Sequence, residues 1–161
     1  MMILGIDPGS RLTGWGLVEH SGGRSSHVAS GTLRLGSSAP LPERLLKLTE
    51  GLERLLEEYN PPHCAIEQIF TAKNARSALV LGHARGVILC AMARRGLALH
   101  EYSATQVKQA IVGGGRASKS QVQLMVGALL AHKGAFQEDE ADALAVALTH
   151  AAFNNLARRI S

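Results

Sequence analysis

Four carboxylates in this chain stand where they could share one task. Asp7 closes the apolar run Ile3-Leu4-Gly5-Ile6, and Glu67 closes a second, Cys64-Ala65-Ile66. Asp139 and Asp142 lie three residues apart at the start of a helical stretch, so they share one helix face. If the two runs are neighbouring strands with the same direction, Asp7 and Glu67 leave the sheet at one edge. The helix then needs only to lay its first turn across that edge. Four acids in one cleft raise one another's pKa, and divalent cations remove the conflict. Hard oxygen ligands suit Mg²⁺ or Mn²⁺. Two such ions, about 3.5–4 Å apart, would clamp a phosphodiester for in-line hydrolysis. Each acid also has a plainer reading. Asp7 before Pro8-Gly9 is a good turn-former, and Asp139 and Asp142 suit a helix N-terminus. Glu67, followed by Gln68-Ile69-Phe70, is not covered by those readings.

The bulk properties set the frame. One domain spanning 1–161 is expected from 161 residues, with a core that needs no staples. The formal charge is +4. With the four acids set aside, nine of the 13 acidic side chains remain against 17 basic ones, a surface that would attract a polyanion. Cys64 and Cys90 have no metal-site or redox spacing, and each reads as a buried free thiol. No basic leader precedes an apolar run, and no run of eighteen apolar residues occurs, so a cytosolic protein is expected.

The positioning elements follow from periodicity. Residues 3–35 read as three antiparallel strands, with Ser21-Gly22-Gly23 turning the second into the third. Leu41, Leu45, Leu48, Leu52, Leu55, Leu56 and Tyr59 recur at helical spacing until Asn60-Pro61-Pro62. A helix from about 73 to 95 carries a stripe of small residues, Ala78, Gly82, Gly86 and Cys90. The stripe permits close packing, either on the protein's own core, which periodicity favours, or on a second copy. Leu97 to Tyr102 is a strand, and Ser103 caps a short helix to about Ile111. Gly113-Gly114-Gly115 forms a mobile loop closed by Arg116. Ser118 with Gln121 makes a capping box for a helix ended by Lys133-Gly134-Ala135, and a last helix runs from about 138 to 157. This order describes an α/β fold, a mixed five-stranded sheet flanked by helices. Of the seven histidines, none has metal-ligand spacing; His83 reads as helix surface and His150 as an ordinary helix residue.

Several segments carry a family resemblance. Ile6-Asp7-Pro8-Gly9-Ser10-Arg11 with Thr13-Gly14-Trp15-Gly16, Ala65-Ile66-Glu67-Gln68 with Ala72-Lys73-Asn74, Lys119-Ser120-Gln121-Val122-Gln123, and Asp139 to Ala145 resemble the bacterial RuvC Holliday-junction resolvases. The resemblance covers nearly the whole chain in order and spacing. It implies an RNase H-like nuclease domain, a homodimer, and Mg²⁺-dependent paired nicking of four-way DNA junctions in recombination and repair. It further implies two Mg²⁺ per site, with Mn²⁺ as a substitute, and a RuvA–RuvB branch-migration complex as partner. By position, Asp7, Glu67, Asp139 and Asp142 match the catalytic, metal-binding carboxylates. Some relatives place a histidine at the third position; here it is Asp139. Trp15 stands where an aromatic such as Tyr is more familiar, away from the metal ligands.

DNA contacts are expected from Lys108, Arg116 and Lys119, whose plainer reading is solvated surface. The resemblance places Lys108 and Lys119 beside the active site. Phe70 either packs in the core or stacks on an unpaired base, and the resemblance favours stacking. Lys73 and Arg76 are further candidates for holding the strand. Arg11 reads either as a phosphate contact or as a charge on the turn. Three competing functions fit less well. RNA-acting YqgF-like relatives share the first motif but not Glu67, Phe70 and the closing pair. A sugar-kinase or actin-like ATPase needs a second nucleotide loop and domain. A non-catalytic DNA-binding module has no use for four converging acids.

Overall fold

The structure, a computed structural model, describes residues 1–68 and 74–160, with the side chains of 156–160 not described. Phe70 and Lys73 therefore lie outside the described residues. The elements are β1 (Met2–Asp7), β2 (Leu12–Ser21), β3 (Arg24–Arg34), α1 (Leu41–Tyr59), β4 (His63–Glu67), α2 (Ala75–Arg94), β5 (Ala98–Tyr102), α3 (Ala104–Val112), α4 (Lys119–Leu129) and α5 (Glu138–Ile160). One sheet has the order β3-β2-β1-β4-β5. The first three strands are antiparallel, whereas β4 runs parallel to both β1 and β5. The mixed sheet expected from the sequence is what forms.

Strand alternation sorts the core into two layers. Leu4, Ile6, Leu17, Cys64 and Ile66 meet α1 and α2 on one face. Ile3, Val18, Ala65 and Tyr102 meet α3, α4 and α5 on the other. Asp7 and Glu67 continue the second set by period two, so they project toward α5. On the first face α1 buries Leu48, Leu52, Leu55 and Leu56, the stripe read from sequence. It ends at Asn60, whose left-handed φ of 42° hands the chain to Pro61-Pro62.

α5 lies unusually close to the sheet because three positions beneath it lack side chains. A methyl at Gly5 would fall 2.0 Å from the Ala143 carbonyl oxygen, and one at Gly14 would fall 2.0 Å from that of Asp139. At Gly16 it would meet Leu144 at 2.6 Å. Gly5 and Gly16 are cross-strand partners, and Gly14 is the partner of Asp7. The glycines thus form a trough into which the helix backbone settles.

Three expectations need correction. The stripe Ala78, Gly82, Gly86 and Cys90 does not pack on the core; all four residues are exposed. The opposite side of α2, with Ala84, Ile88 and Met92, takes that place. Cys90 is consequently an exposed thiol, while Cys64 is buried as expected. α4 ends at Leu129, before Lys133-Gly134-Ala135. Ala131 adopts φ 49° there, and His132 N–H donates to the Gly127 carbonyl at 3.0 Å, closing the helix without a glycine. Two capping boxes form, Ser103 with Gln106 and Ser118 with Gln121. α2 is long and apolar enough to cross a membrane by length and composition. It nonetheless packs on α1 and carries Arg85 at its middle, ion-paired to Glu101 at 2.6 Å.

The trough has a direct test. Gly5→Ala forces a methyl against backbone that cannot rotate away, and is expected to cost about 3 kcal/mol of stability, at the upper end for overpacking. A shift in the urea midpoint at unchanged slope measures it.

Candidate active site

β1 and β4 are paired in register to Ile6 and Ile66, so Asp7 and Glu67 are the next residues on adjacent parallel strands. The turn that follows Asp7 is tied down. Buried Thr13 donates its hydroxyl to the Gly9 carbonyl at 3.3 Å, and a methyl at Gly9 would fall 1.8 Å from the Leu12 carbonyl oxygen. Glu67 is fixed from both sides. Gln68 N–H donates to the Tyr102 carbonyl at 2.8 Å, and Arg85 donates to the Glu67 carbonyl at 3.0 Å. Asp139 comes over Gly14 because the trough admits the first turn of α5, and Asp142 follows one turn on.

The electrostatics register this convergence. Asp7 is pushed from the ordinary 3.8 up to about 7, first by burial and then by Asp142, Glu67 and Asp139. Burial and Asp142 also raise Glu67, against the pull of Lys119 and Lys108. Asp142 is raised by burial, although Lys119 opposes it. Lys119 donates to Asp142 at 2.7 Å and to Glu138 at 2.5 Å. Burial alone would lower the ammonium, but these two hydrogen bonds win and hold it above the ordinary lysine range. A cleft of about 220 Å³ opens between Glu67 and Asp142, with Lys108 and Lys119 on its rim and Val107 and Val122 in its wall.

The structure thus brings together Asp7, Glu67, Asp139, Asp142, Lys108 and Lys119. Arg116 is exposed on the loop that follows α3 and does not line the cleft, and Arg76 is exposed in the first turn of α2. Arg11 is an exposed turn residue whose carbonyl accepts from Leu35 N–H. Sequence reading missed Glu138, the second acceptor of Lys119, and Arg85, the anchor of the Glu67 strand end. Arg85 had a signal: it is the one charge in the apolar run 77–93 of α2.

The donor set fits a hard divalent cation. It offers carboxylate oxygens, partly buried, and among the described residues only Lys119 forms an ion pair to one of the four. The mutual repulsion falls most heavily on Asp7, which without a cation would hold its proton up to about neutral pH.

A mixed sheet in this strand order, with α5 laying acids across the ends of β1 and β4, defines an RNase H-like protein with a carboxylate-lined cleft. The family model for "Crossover junction endodeoxyribonuclease RuvC" matches residues 3–150. The chain belongs to the RuvC family of crossover junction endodeoxyribonucleases. It is 52% identical over 151 residues to the RuvC of Citrifermentans bemidjiense, covering 94% of this chain and 92% of that one. It is 52% identical over 159 residues to the RuvC of Xanthomonas euvesicatoria pv. vesicatoria, covering 98% and 91%. Among solved structures it is similar to Thermus thermophilus RuvC in complex with a Holliday junction substrate. That match has a TM-score of 0.93 and 33% identity, over 98% of this chain and 96% of that one. The yeast mitochondrial resolvase Ydc2 shares the fold, with a TM-score of 0.68 at 16% identity.

The raised carboxyl makes a pH prediction. In metal-free protein, folded Asp7 keeps a proton that the unfolded chain loses above about pH 4. Its contribution to stability therefore falls as pH rises from about 4 to 7 and is level beyond, by roughly 3–4 kcal/mol in all. His150, lowered to about 4 by burial, His100 and His63, slopes the other way over part of that window. The test is thus a difference. Asp7→Asn should gain on wild type in Tm as pH rises toward 7 in the presence of a chelator, and the gain should disappear near pH 4.

Proposed function

We infer that this chain resolves four-way DNA junctions by paired, symmetric nicks, with Asp7, Glu67, Asp139 and Asp142 as its catalytic carboxylates. The observation that carries the reading is the crowding of these acids at one sheet end, costly enough to push Asp7 to about 7, in a member of the RuvC family. Stability gives no reason to keep such a cluster. The cleft would hold divalent cations, Mg²⁺ with Mn²⁺ as a substitute and two per site, and when bound these would supply an activated water and neutralise the departing oxygen.

The chain's own residues do the rest. The four carboxylates hold the cations, and Arg85 keeps Glu67 in place through its carbonyl. Lys108 and Lys119 face the same cleft and meet the scissile phosphate. Phe70, three residues after Glu67, stacks on an unpaired base beside the cut. Lys73, Arg76 and Arg116 hold the flanking strands. A second copy packs on the exposed stripe of α2, where Gly82 and Gly86 leave open space above the helix, and its two-fold axis gives two cuts. A single domain suffices for each subunit. The family relationship supports a RuvA–RuvB branch-migration complex as partner and work in the cytoplasm. The Thermus relative, which was solved with a Holliday junction substrate, supports the same ligand here.

The deciding experiment compares a synthetic four-way junction with linear duplex of the same sequence, with and without Mg²⁺ or Mn²⁺. Wild type should nick only the junction, symmetrically, and only with metal. Asp7→Asn should lose cleavage by at least about a thousandfold, comparable to other losses of a catalytic charge-stabilising group, while gel-shift affinity for the junction stays within a few-fold. Lys119→Ala should slow cleavage, and the slope of log affinity against log salt should flatten by about one phosphate contact. A slope identical to wild type refutes a phosphate role for Lys119.

A further inference from the structure

The far ends of β4 and α5 carry a second cluster, made of imidazoles. His63 opens β4, His100 sits in the middle of β5, and His150 lies on α5. β4 runs four residues from His63 to Glu67, about 13 Å. α5 runs eight residues from Asp142 to His150, about 12 Å. The same strand and helix thus bring acids together at one end and histidines at the other. One ring nitrogen from each of His63, His100 and His150 lies within 4.8 Å of the other two. The ring centroids are 5.8, 5.2 and 4.0 Å apart, with His100 and His150 stacked.

Each ring leaves a buried nitrogen unpartnered among the described residues: Nδ1 of His63, Nε2 of His100 and Nε2 of His150. Three such atoms in one place are costly, since a buried polar group normally finds a partner. His150 is 4% exposed, and its Nδ1 is 2.8 Å from the Tyr102 hydroxyl. If Nδ1 carries the proton and donates to Tyr102, the lone pair of Nε2 is left free. That is the arrangement in which an outer hydrogen bond orients a metal-ligating histidine.

We propose that His63, His100 and His150 form a binding site for one late first-row divalent ion, such as Zn²⁺, that clamps β4 and β5 to α5. Imidazole nitrogen suits such ions and not Mg²⁺, so this site and the carboxylate cleft select different metals. Three histidines and one open position are a recurrent zinc geometry. Tetrahedral bonds of 2.0–2.1 Å need nitrogens about 3.3 Å apart, so the rings must close by at most about 1.5 Å and His100 must unstack from His150. His63 and His100 are only partly buried, which leaves them room to turn and gives the ion a way in. The cluster does not depend on the nuclease reading.

The test uses Co²⁺ as a spectroscopic substitute, added to the full-length Asp7→Asn chain in excess Mg²⁺ so that the carboxylate cleft does not compete. Intense visible absorption of four-coordinate cobalt is expected, saturating at one ion per chain and removed by Zn²⁺. His100→Gln should abolish it, and His63→Gln should weaken binding at least tenfold. Zn²⁺ should raise the Tm of the parent and not of His100→Gln. His150 contacts Tyr102 in the core, so the two strand histidines are the informative variants, with circular dichroism as the folding check. Absence of saturable binding, six-coordinate cobalt only, or binding undiminished in both histidine variants would overturn the proposal.

Discussion

The contact on which everything else depends is backbone against backbone, where α5 settles onto β1 and β2 over Gly5, Gly14 and Gly16. Helices usually stand off a sheet by the depth of two interdigitating side-chain layers. Here the sheet contributes none at these positions, so the helix axis comes down and its first turn reaches the ends of the strands. Asp139 then stands over the residue paired with Asp7, and Asp142 turns toward Glu67. The packing that fills the second core layer with Leu144, Val146 and Ala147 is thus also what assembles the acids.

Bringing the acids together works against stability. Burial and three neighbouring carboxylates act on Asp7 in the same direction, and among the described residues the ammonium of Lys119 only partly compensates. The surrounding structure holds the arrangement by overdetermination. Thr13 secures the turn after Asp7, Arg85 and Gln68 secure the end of β4, and a capping box starts α4 at the residue before Lys119. None of these groups is one of the four acids. Together they leave each carboxylate little freedom to swing away from its neighbours.

Much of this was legible in the sequence. Apolar runs ending in Asp7 and Glu67 read as strands because strand ends are local, and the i, i+3 spacing of Asp139 and Asp142 fixed their common face. The capping residues of α3 and α4 were legible for the same reason. What escaped depends on distant contacts. Gly14 and Gly16 look like ordinary strand glycines until the helix above them is known. The direction in which the small stripe of α2 points depends on which side α1 and the sheet occupy, so Cys90 was misplaced with it. His63, His100 and His150 are 37 and 50 residues apart in sequence, and only the parallel β4–β5 pairing with α5 across it brings them together.

Lys119 bears on the order in which this protein is put together. Its ammonium is tethered between Asp142 and Glu138, so the cleft carries a resident counter-ion from the moment α4 docks on α5. The chain can therefore complete its core with the charge of Asp142 already met from within, the lysine acting as a placeholder. Under the function proposed above, a cation entering the cleft would take that place at Asp142 and free the ammonium toward an incoming phosphate.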